Sequence, residues 1–451
     1  MDDSDPYRST NPWSLARYLR HSCRRCPVCG RDCDISAVFD PNEEMIRMEA
    51  SCPGCGKNTL IPSVKEDGDI LIETSDGKVY EPDRECSELL ERIGGRDIGD
   101  SDTDTLKLFS GVAARYAETR RPSAAVELGK RIASAYRSAG RIHECLAQAS
   151  ATASVLVDSN QNMKALELYG EYLPLTEISE SGVSFSFILA HAFSQFVDGD
   201  IKSATSAVRK VIQALDRLKS ENRLPADDPF IRSRAYEALG LLLSSSNDKT
   251  GAMKALKKSV EDSREVLGRE VTEEGLMWMS RCSREYAFAC HQADMGKRSM
   301  EALKNSIKMC SASREKFPKA YAESLLERAM FICDSGIAVP SYLRQDLDEA
   351  ISVFEKISPE KCDPLLPIAY YYRSLTGADK EKLDTDDLSR AYELIRDGAV
   401  SGHVPDSVLT SVVDTYVTYL DANDETKAEE VRKELAEMGI HVRPMMKKKP
   451  Q

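Results

Sequence analysis

The residues of this 451-residue chain best suited to chemistry are its 13 cysteines, and their spacing sorts them into two groups. Six lie between Cys23 and Cys55. Among them, Cys26-Pro-Val-Cys29-Gly and Cys52-Pro-Gly-Cys55-Gly are two copies of one local pattern. Two thiolates two residues apart can grip one ion from a single tight turn, and the glycine after the second allows the positive φ such a turn often needs. Two turns supply four sulfurs, a closed tetrahedral set that suits Zn²⁺ and leaves no position open for water. The site predicted from Cys26, Cys29, Cys52 and Cys55 is therefore structural rather than catalytic. The same stretch admits an alternative. Cys23-x2-Cys26-x2-Cys29-x3-Cys33 has the spacing of a run that holds a [4Fe–4S] iron–sulfur cluster. Against it, Asp34 stands where that run has Pro, no second run is present, and Cys52 and Cys55 would be left without a role. Zinc is the expected ion, with Cys23 and Cys33 as spare thiols nearby and His21 a solvated side chain. The other seven cysteines are scattered, mostly inside helical patterns, and read as small buried apolar residues. An odd count without a secretory leader is not a disulfide framework.

Other catalytic patterns fail when tested. His143-Glu144 lacks a His three residues on. Asp100-x-Asp102-x-Asp104 begins like a calcium loop, but Thr105 replaces the needed Gly and Gly111 stands where the bidentate Glu belongs. Gly296-Lys297-Arg298 lacks the upstream Gly of a phosphate loop, and no G-x-S-x-G occurs. The six histidines lie far apart. The expected chain is not an enzyme.

The elements that must hold the cysteines are short strands. Ile35–Phe39, Met45–Ala50, Thr59–Val64 and Asp69–Thr74 have strand character, and Asp76-Gly77 before Val79-Tyr80 is a hairpin signal. Turn, hairpin, turn and strand over residues 22–82 resemble the zinc-ribbon family. The resemblance implies a small sheet folded by its metal, presenting a strand surface to protein or nucleic acid. Ahead of it, residues 13–33 hold five arginines against Asp32 (Arg17, Arg20, Arg24, Arg25 and Arg31), and Pro12–Arg20 reads as a short basic amphipathic helix.

From Leu106 to about Gly439 strand signals are scarce and a 3.6-residue period dominates. Phe109-x2-Val112-Ala113-x2-Tyr116 is followed by Ala125, and Tyr236-x2-Leu239-Gly240-x2-Leu243 by Ala252-x3-Leu256. Both resemble the tetratricopeptide-repeat (TPR) pattern W-x2-L-G-x2-Y, then A-x3-F. A small residue on each helix lets the two approach closely, and bulky residues a turn away fill the space between neighbouring pairs. The second-helix alanines can be followed as Ala125, Ala165, Ala204, Ala252, Ala302, Ala350, Ala391 and Ala428, at intervals of 37 to 50 residues. Tyr169, Val208, Leu256, Phe354 and Ile395 stand at the bulky position, whereas Gly129, Ser306 and Arg432 depart from it. Intervals above the family's usual 34 call for longer helices or connections.

The expected fold is mainly α: a TPR-like α-α superhelical solenoid preceded by a small β zinc ribbon. Its predicted parts are an N-terminal segment (1–21), partly disordered with a short basic helix; the ribbon (22–82); a linker (83–104); about eight helix pairs (105–440); and a basic tail (441–451). The TPR resemblance implies a scaffold binding a protein or peptide. One subclass grips a C-terminal carboxylate, but the matching places here are Ser110, Ala114, Glu237 and Leu241, so no such clamp is expected. The net charge of -13 favours a basic partner and opposes broad nucleic-acid wrapping. The alternative function is a nucleic-acid-associated factor using the ribbon and its arginines. MDDSDPYRST has neither the basic nor the apolar region of a secretory leader, and the most apolar stretch, Ser184–Val197, is too short to span a membrane. A cytoplasmic protein without membrane contact is expected.

Overall fold

The computed structural model describes residues 31, 34–40, 45–54, 56–64, 70–74 and 79–80, and, between 84 and 437, all but 100, 119–121, 160, 358–362, 364, 377–383 and 399–405. The chain divides into two compact units, residues 1–161 with 392–451, and residues 162–391.

In the first unit, five strands form one antiparallel meander: β1 (Asp34–Asp40), β2 (Met45–Cys52), β3 (Gly56–Val64), β4 (Ile70–Thr74) and β5 (Val79–Tyr80). They occupy the runs whose composition predicts strands. After the sheet, the helix-compatible run Cys86–Ile93, closed by Gly94-Gly95, lies in a helix, α1 (Arg84–Ile93). Cys86, Leu89 and Ile93 fall on one helical face, Cys86 and Ile93 are buried, and Leu89 lies against Gly111 of the next helix, α2 (Thr103–Glu118). Burial of that face turns a polar connection into structure. Two more helices follow, α3 (Pro122–Ser138) and α4 (Ile142–Asp158), each packed on the one before.

The second unit continues the pattern with α5 (Asn162–Tyr172), a 3₁₀ turn (Leu173–Ile178), α6 (Gly182–Val197), α7 (Ile201–Ser220), α8 (Ile231–Ser245), α9 (Lys249–Leu267), α10 (Glu273–Gln292), α11 (Gly296–Ser311), α12 (Pro318–Asp334), α13 (Leu343–Ile357) and α14 (Leu366–Ser374). Then come α15 (Thr385–Gly398), which runs from the second unit into the first, α16 (Asp406–Asn423) and α17 (Glu425–Glu437). After α1, consecutive helices pack as pairs in α2/α3, α6/α7, α8/α9, α10/α11, α12/α13 and α16/α17. Each first helix from α8 to α14 packs on the second helix of its predecessor, and α6 touches α8, α10 touches α12, and α12 touches α14. The first helices thus form one layer of the second unit and the second helices another.

The small-residue ladder sits where the pairs close. All eight alanines lie in second helices and are at most 5% exposed. The five bulky partners are buried too. The longer intervals arise from long helices, α7 and α10 being 20 residues each, and from connections such as 221–230. Tight turns reverse the chain within pairs. Gly199 (φ 89°), Asn247 (φ 61°) and Asp294 (φ 57°) occupy the left-handed region at the same place in three consecutive pairs, a conformation Asn and Asp tolerate better than most residues. Asp200 and Asp248 then cap α7 and α9, accepting from the Ser203 and Gly251 amides at 3.0 and 2.8 Å.

Gly240 shows how tight the approach is. A Cβ there would lie 2.4 Å from Leu256 Cγ. Alanine's better helix preference returns up to about 1 kcal/mol, but overpacking a filled core costs about 1–3 kcal/mol. Gly240→Ala should therefore destabilise the second unit by about 1 kcal/mol or more in urea unfolding. The loss should shrink when Leu256→Ala provides room, because the two sites are in contact. Equal losses in both backgrounds would show that α8 and α9 are not held by this contact.

Candidate functional site

Two places draw together residues able to bind something. The first is the cysteine turn. Cys52 ends β2, is 2% exposed, and pairs across the ladder with Gly56, so that Pro53-Gly54 makes the reversal between β2 and β3. Gly54 lies under the Arg31 side chain: a Cβ on it would sit 2.6 Å from Arg31 Cδ. A buried cysteine at the root of a tight hairpin fits the chemistry of a thiolate donor turn. Cys26, Cys29 and Cys55 lie outside the described residues, as do Cys23, His21 and Cys33. No group of three or more candidate ligands converges among the described residues.

The second place is the surface of the first-helix layer. On α6, Phe193 and Val197 are 58% and 42% exposed, and on α8 Leu241 is 39% exposed. Next along the layer, α10 presents Trp278, half-buried, with the Arg234 and Arg281 guanidinium groups 5.3 and 5.5 Å from its ring. Trp278 is fixed rather than loose. Its indole N–H donates to Ser233 Oγ at 2.9 Å, and Ser233 is itself tied into α9 through Ser263 Oγ at 2.8 Å. A rigid aromatic flanked by arginines is the kind of anchor that dominates protein interfaces.

Charged groups line the same layer. Glu237 is buried on α8 with Arg281 Nε 3.3 Å away. On α10, Arg284 bridges to Glu285 at 2.9 Å and to Glu327 of α12 at 2.7 Å. Burial pushes the Glu237 and Glu327 carboxyls above the usual carboxylate range, against the pull of Arg281 and Arg284. Glu323, one turn before Glu327, is pushed up to about 7 by burial first and then by the Glu327 charge. The described thiols of this unit are raised by the same physics: burial pushes Cys282 up to about 12 and Cys333 up to about 11, and Cys290 and Cys310 upward too, away from the thiolate a nucleophile needs.

Neither a family model nor a curated protein matches this chain. Among solved structures, it is similar to a Signal Transduction ATPase with Numerous Domains carrying a tetratricopeptide repeat sensor, from Pyrococcus horikoshii, at 10% identity over 71% of this chain and 45% of that one, with a TM-score of 0.43. The apo form of RapI is similar at 14% identity over 74% of this chain and 92% of that one, TM-score 0.40. The C-terminal part of a TPR repeat-containing protein from Cytophaga hutchinsonii is similar at 13% identity over 63% of this chain and 93% of that one, TM-score 0.32. The paired-helix arrangement of this chain rests on its own contacts.

The four places matched to a carboxylate clamp are built differently. Ser110 donates to the Leu106 carbonyl at 3.1 Å, Ala114 and Leu241 are exposed, and Glu237 faces Arg281. Sequence reasoning singled out neither Trp278 nor the Arg281, Arg284 and Glu327 group. Their spacing carries no motif, and the only available signal was a Trp among arginines inside a helix.

Proposed function

We propose that this chain is a non-enzymatic binding scaffold that takes a protein or peptide on its first-helix layer. The exposure of Phe193 and Val197 on α6 and Leu241 on α8, together with the anchored Trp278 on α10, carries the reading. Exposed apolar groups and an aromatic flanked by arginines have the composition of interface cores rather than of bare surface. The N-terminal cysteines add a closed four-sulfur zinc module, held by Cys26, Cys29, Cys52 and Cys55, which stabilises the small sheet and offers a docking element. Cytoplasmic residence belongs to the same proposal; among the described residues, no helix is long and apolar enough to cross a membrane.

The test is selection of peptides from a displayed library against the full chain, followed by calorimetry. Peptides that quench tryptophan fluorescence in the Trp13→Phe chain and lose at least tenfold in affinity on Phe193→Asp with Leu241→Asp support the reading. Binders unaffected by both substitutions, or turnover of a small metabolite by the purified chain, would sink it. For the metal, native protein is expected to carry about one zinc per chain by mass spectrometry. Cys52→Ser should release it, with far-UV change confined to the strand signal. A brown protein absorbing near the visible edge would overturn zinc in favour of a cluster.

A further inference from the structure

The net charge of the chain conceals three consecutive second helices that are basic, although α5 and α13 in the same position of their pairs carry -1 and -2. The first helices α8, α10 and α12 carry +1, -1 and -1, close to neutral. The second helices α7, α9 and α11 carry +4, +2 and +3 in a protein of net charge -13. The cations also share a register. Counted from the buried alanines Ala204, Ala252 and Ala302, the sixth following position is Lys210, Lys258 and Lys308 in turn. The fifth is Arg209 and Lys257 in the first two helices, and the second is Lys254 and Lys304 in the last two.

Most of these side chains are not absorbed by internal pairing. Among the described residues, Arg209, Lys210, Lys254, Lys304 and Lys308 make no ion pair, and Lys257 and Lys258 share Glu261 at 3.6 and 3.5 Å. Arg232, Arg234, Arg281 and Arg284 of the first helices, by contrast, are all paired. At the α7 end, Lys202, Arg209, Lys210 and Gln213 line an open groove of about 840 Å³ beside the end of α8.

We infer that the second-helix layer of α7, α9 and α11 is a binding face for the phosphate backbone of a nucleic-acid duplex, separate from the protein-binding layer proposed above. Charge complementarity requires a polyanion, and the make-up of the face selects among polyanions. Protein interfaces are enriched in Trp, Tyr and Arg and depleted in Lys, yet none of these three helices contains an aromatic residue and most of their cations are lysines. Single-stranded nucleic acid is held by stacking bases on aromatic rings, for which the face has no platform. Anionic membranes are gripped by apolar side chains inserted beside the cations, and no large exposed apolar residue lies on these helices. What remains is sequence-independent contact with phosphates by point charges in repeated register.

The experiment uses the full chain and a fluorescein-labelled 20-base-pair DNA duplex of arbitrary sequence, read by anisotropy across a salt series. Wild type should bind with a log–log salt slope of about -5, as roughly six phosphate contacts require. The triple variant Lys210→Glu, Lys258→Glu, Lys308→Glu should weaken binding at least tenfold at 50 mM salt and flatten the slope by about 3. Lys210→Glu with Lys308→Glu alone, both exposed, should keep the wild-type melting temperature and still weaken binding, which separates lost contacts from any cost at the half-buried Lys258 beside Glu261. Four outcomes overturn the inference: no duplex binding at low salt; binding lost on Arg24→Ala with Arg25→Ala but kept in the lysine variant; equal displacement by poly-glutamate at matched charge; or capture by phosphatidylserine vesicles without duplex binding. Binding that survives Phe193→Asp with Leu241→Asp shows that this face and the proposed peptide face are independent.

Discussion

Replacing Arg232 by alanine should cost the second unit about 3–5 kcal/mol, the usual result of stripping one partner from a buried charge group. Arg232 is 8% exposed near the start of α8. Its guanidinium donates to Asp216 of α7 at 2.8 Å and bridges to Asp262 of α9, so one side chain fastens three helices from two consecutive pairs. It also lies 5.1 Å from the Tyr236 ring, whose hydroxyl donates to Asp216 at 3.2 Å. Without Arg232, Asp262 keeps Lys219, 3.6 Å away, and the more distant Lys258, while staying buried. The desolvation already imposed on that carboxylate then goes uncompensated. In a unit of this size the loss should appear as a melting-point drop of roughly 10 °C, followed through Trp278. The sharper comparison is Arg232→Met with Asp262→Leu. If the cost comes from an orphaned charge, removing both charges should restore most of the stability. If the double variant is as weak as Arg232→Ala, the guanidinium acts through packing rather than charge. A loss below about 1 kcal/mol would remove Arg232 from the fastening role altogether.

This fastening device was invisible in the sequence, and the reason is physical. The alanine ladder was legible because close approach of two helices demands a small residue at a fixed place in every pair, so the demand repeats. Even the three departures keep to their place: Gly129 abuts Thr152, Ser306 donates to Ser280 at 3.0 Å, and Arg432 bridges to Asp421. The strand runs near the cysteines were legible through alternation and turn residues. Ion pairs between helices obey no such period. Arg232 meets Asp262 across 30 residues and Lys319 meets Asp363 across 44, and the separations follow loop lengths that the pattern does not fix. Net charge misled in another way. A sum over the chain predicts an acidic body, but the charge is uneven: α7, α9 and α11 are basic while α5 and α13 are acidic. Only knowing which helix lies in which layer separates the lysines of α7, α9 and α11 from the carboxylates facing Arg281 and Arg284. Of the four predicted metal ligands, Cys52 is among the described residues.

Glu323→Gln should make the second unit more stable at pH 8 and leave it unchanged below pH 4.5. Glu323 lies on α12 with one carboxylate oxygen buried and without a hydrogen-bond partner. The charges around it are already committed: Lys319, one turn before, holds Asp363 at 2.9 Å, and Glu327, one turn after, is held by Arg284 of α10. Burial, with the Glu327 charge second, raises the carboxyl from 4.5 to about 7. Below pH 4.5 it is protonated whether the chain is folded or not, and the folded state bears no penalty. As pH rises from 4.5 to about 7, the unfolded chain releases the proton while the folded chain retains it, so stability is lost through that window and stays lost above it. A shift of this size sets a ceiling of about 3 kcal/mol, reduced by whatever water reaches the site. Glutamine fills the same volume without the proton, so the window should disappear from the variant's stability curve. At pH 8 it should melt several degrees above wild type, and at pH 4.5 the two curves should coincide. The competing account is that Arg284 and Lys319 together already neutralise Glu323, in which case the substitution would weaken the unit at pH 8. The sign of the melting-point difference at that pH separates the two, and a difference that did not vary between pH 4.5 and 8 would show that Glu323 does not titrate in this range.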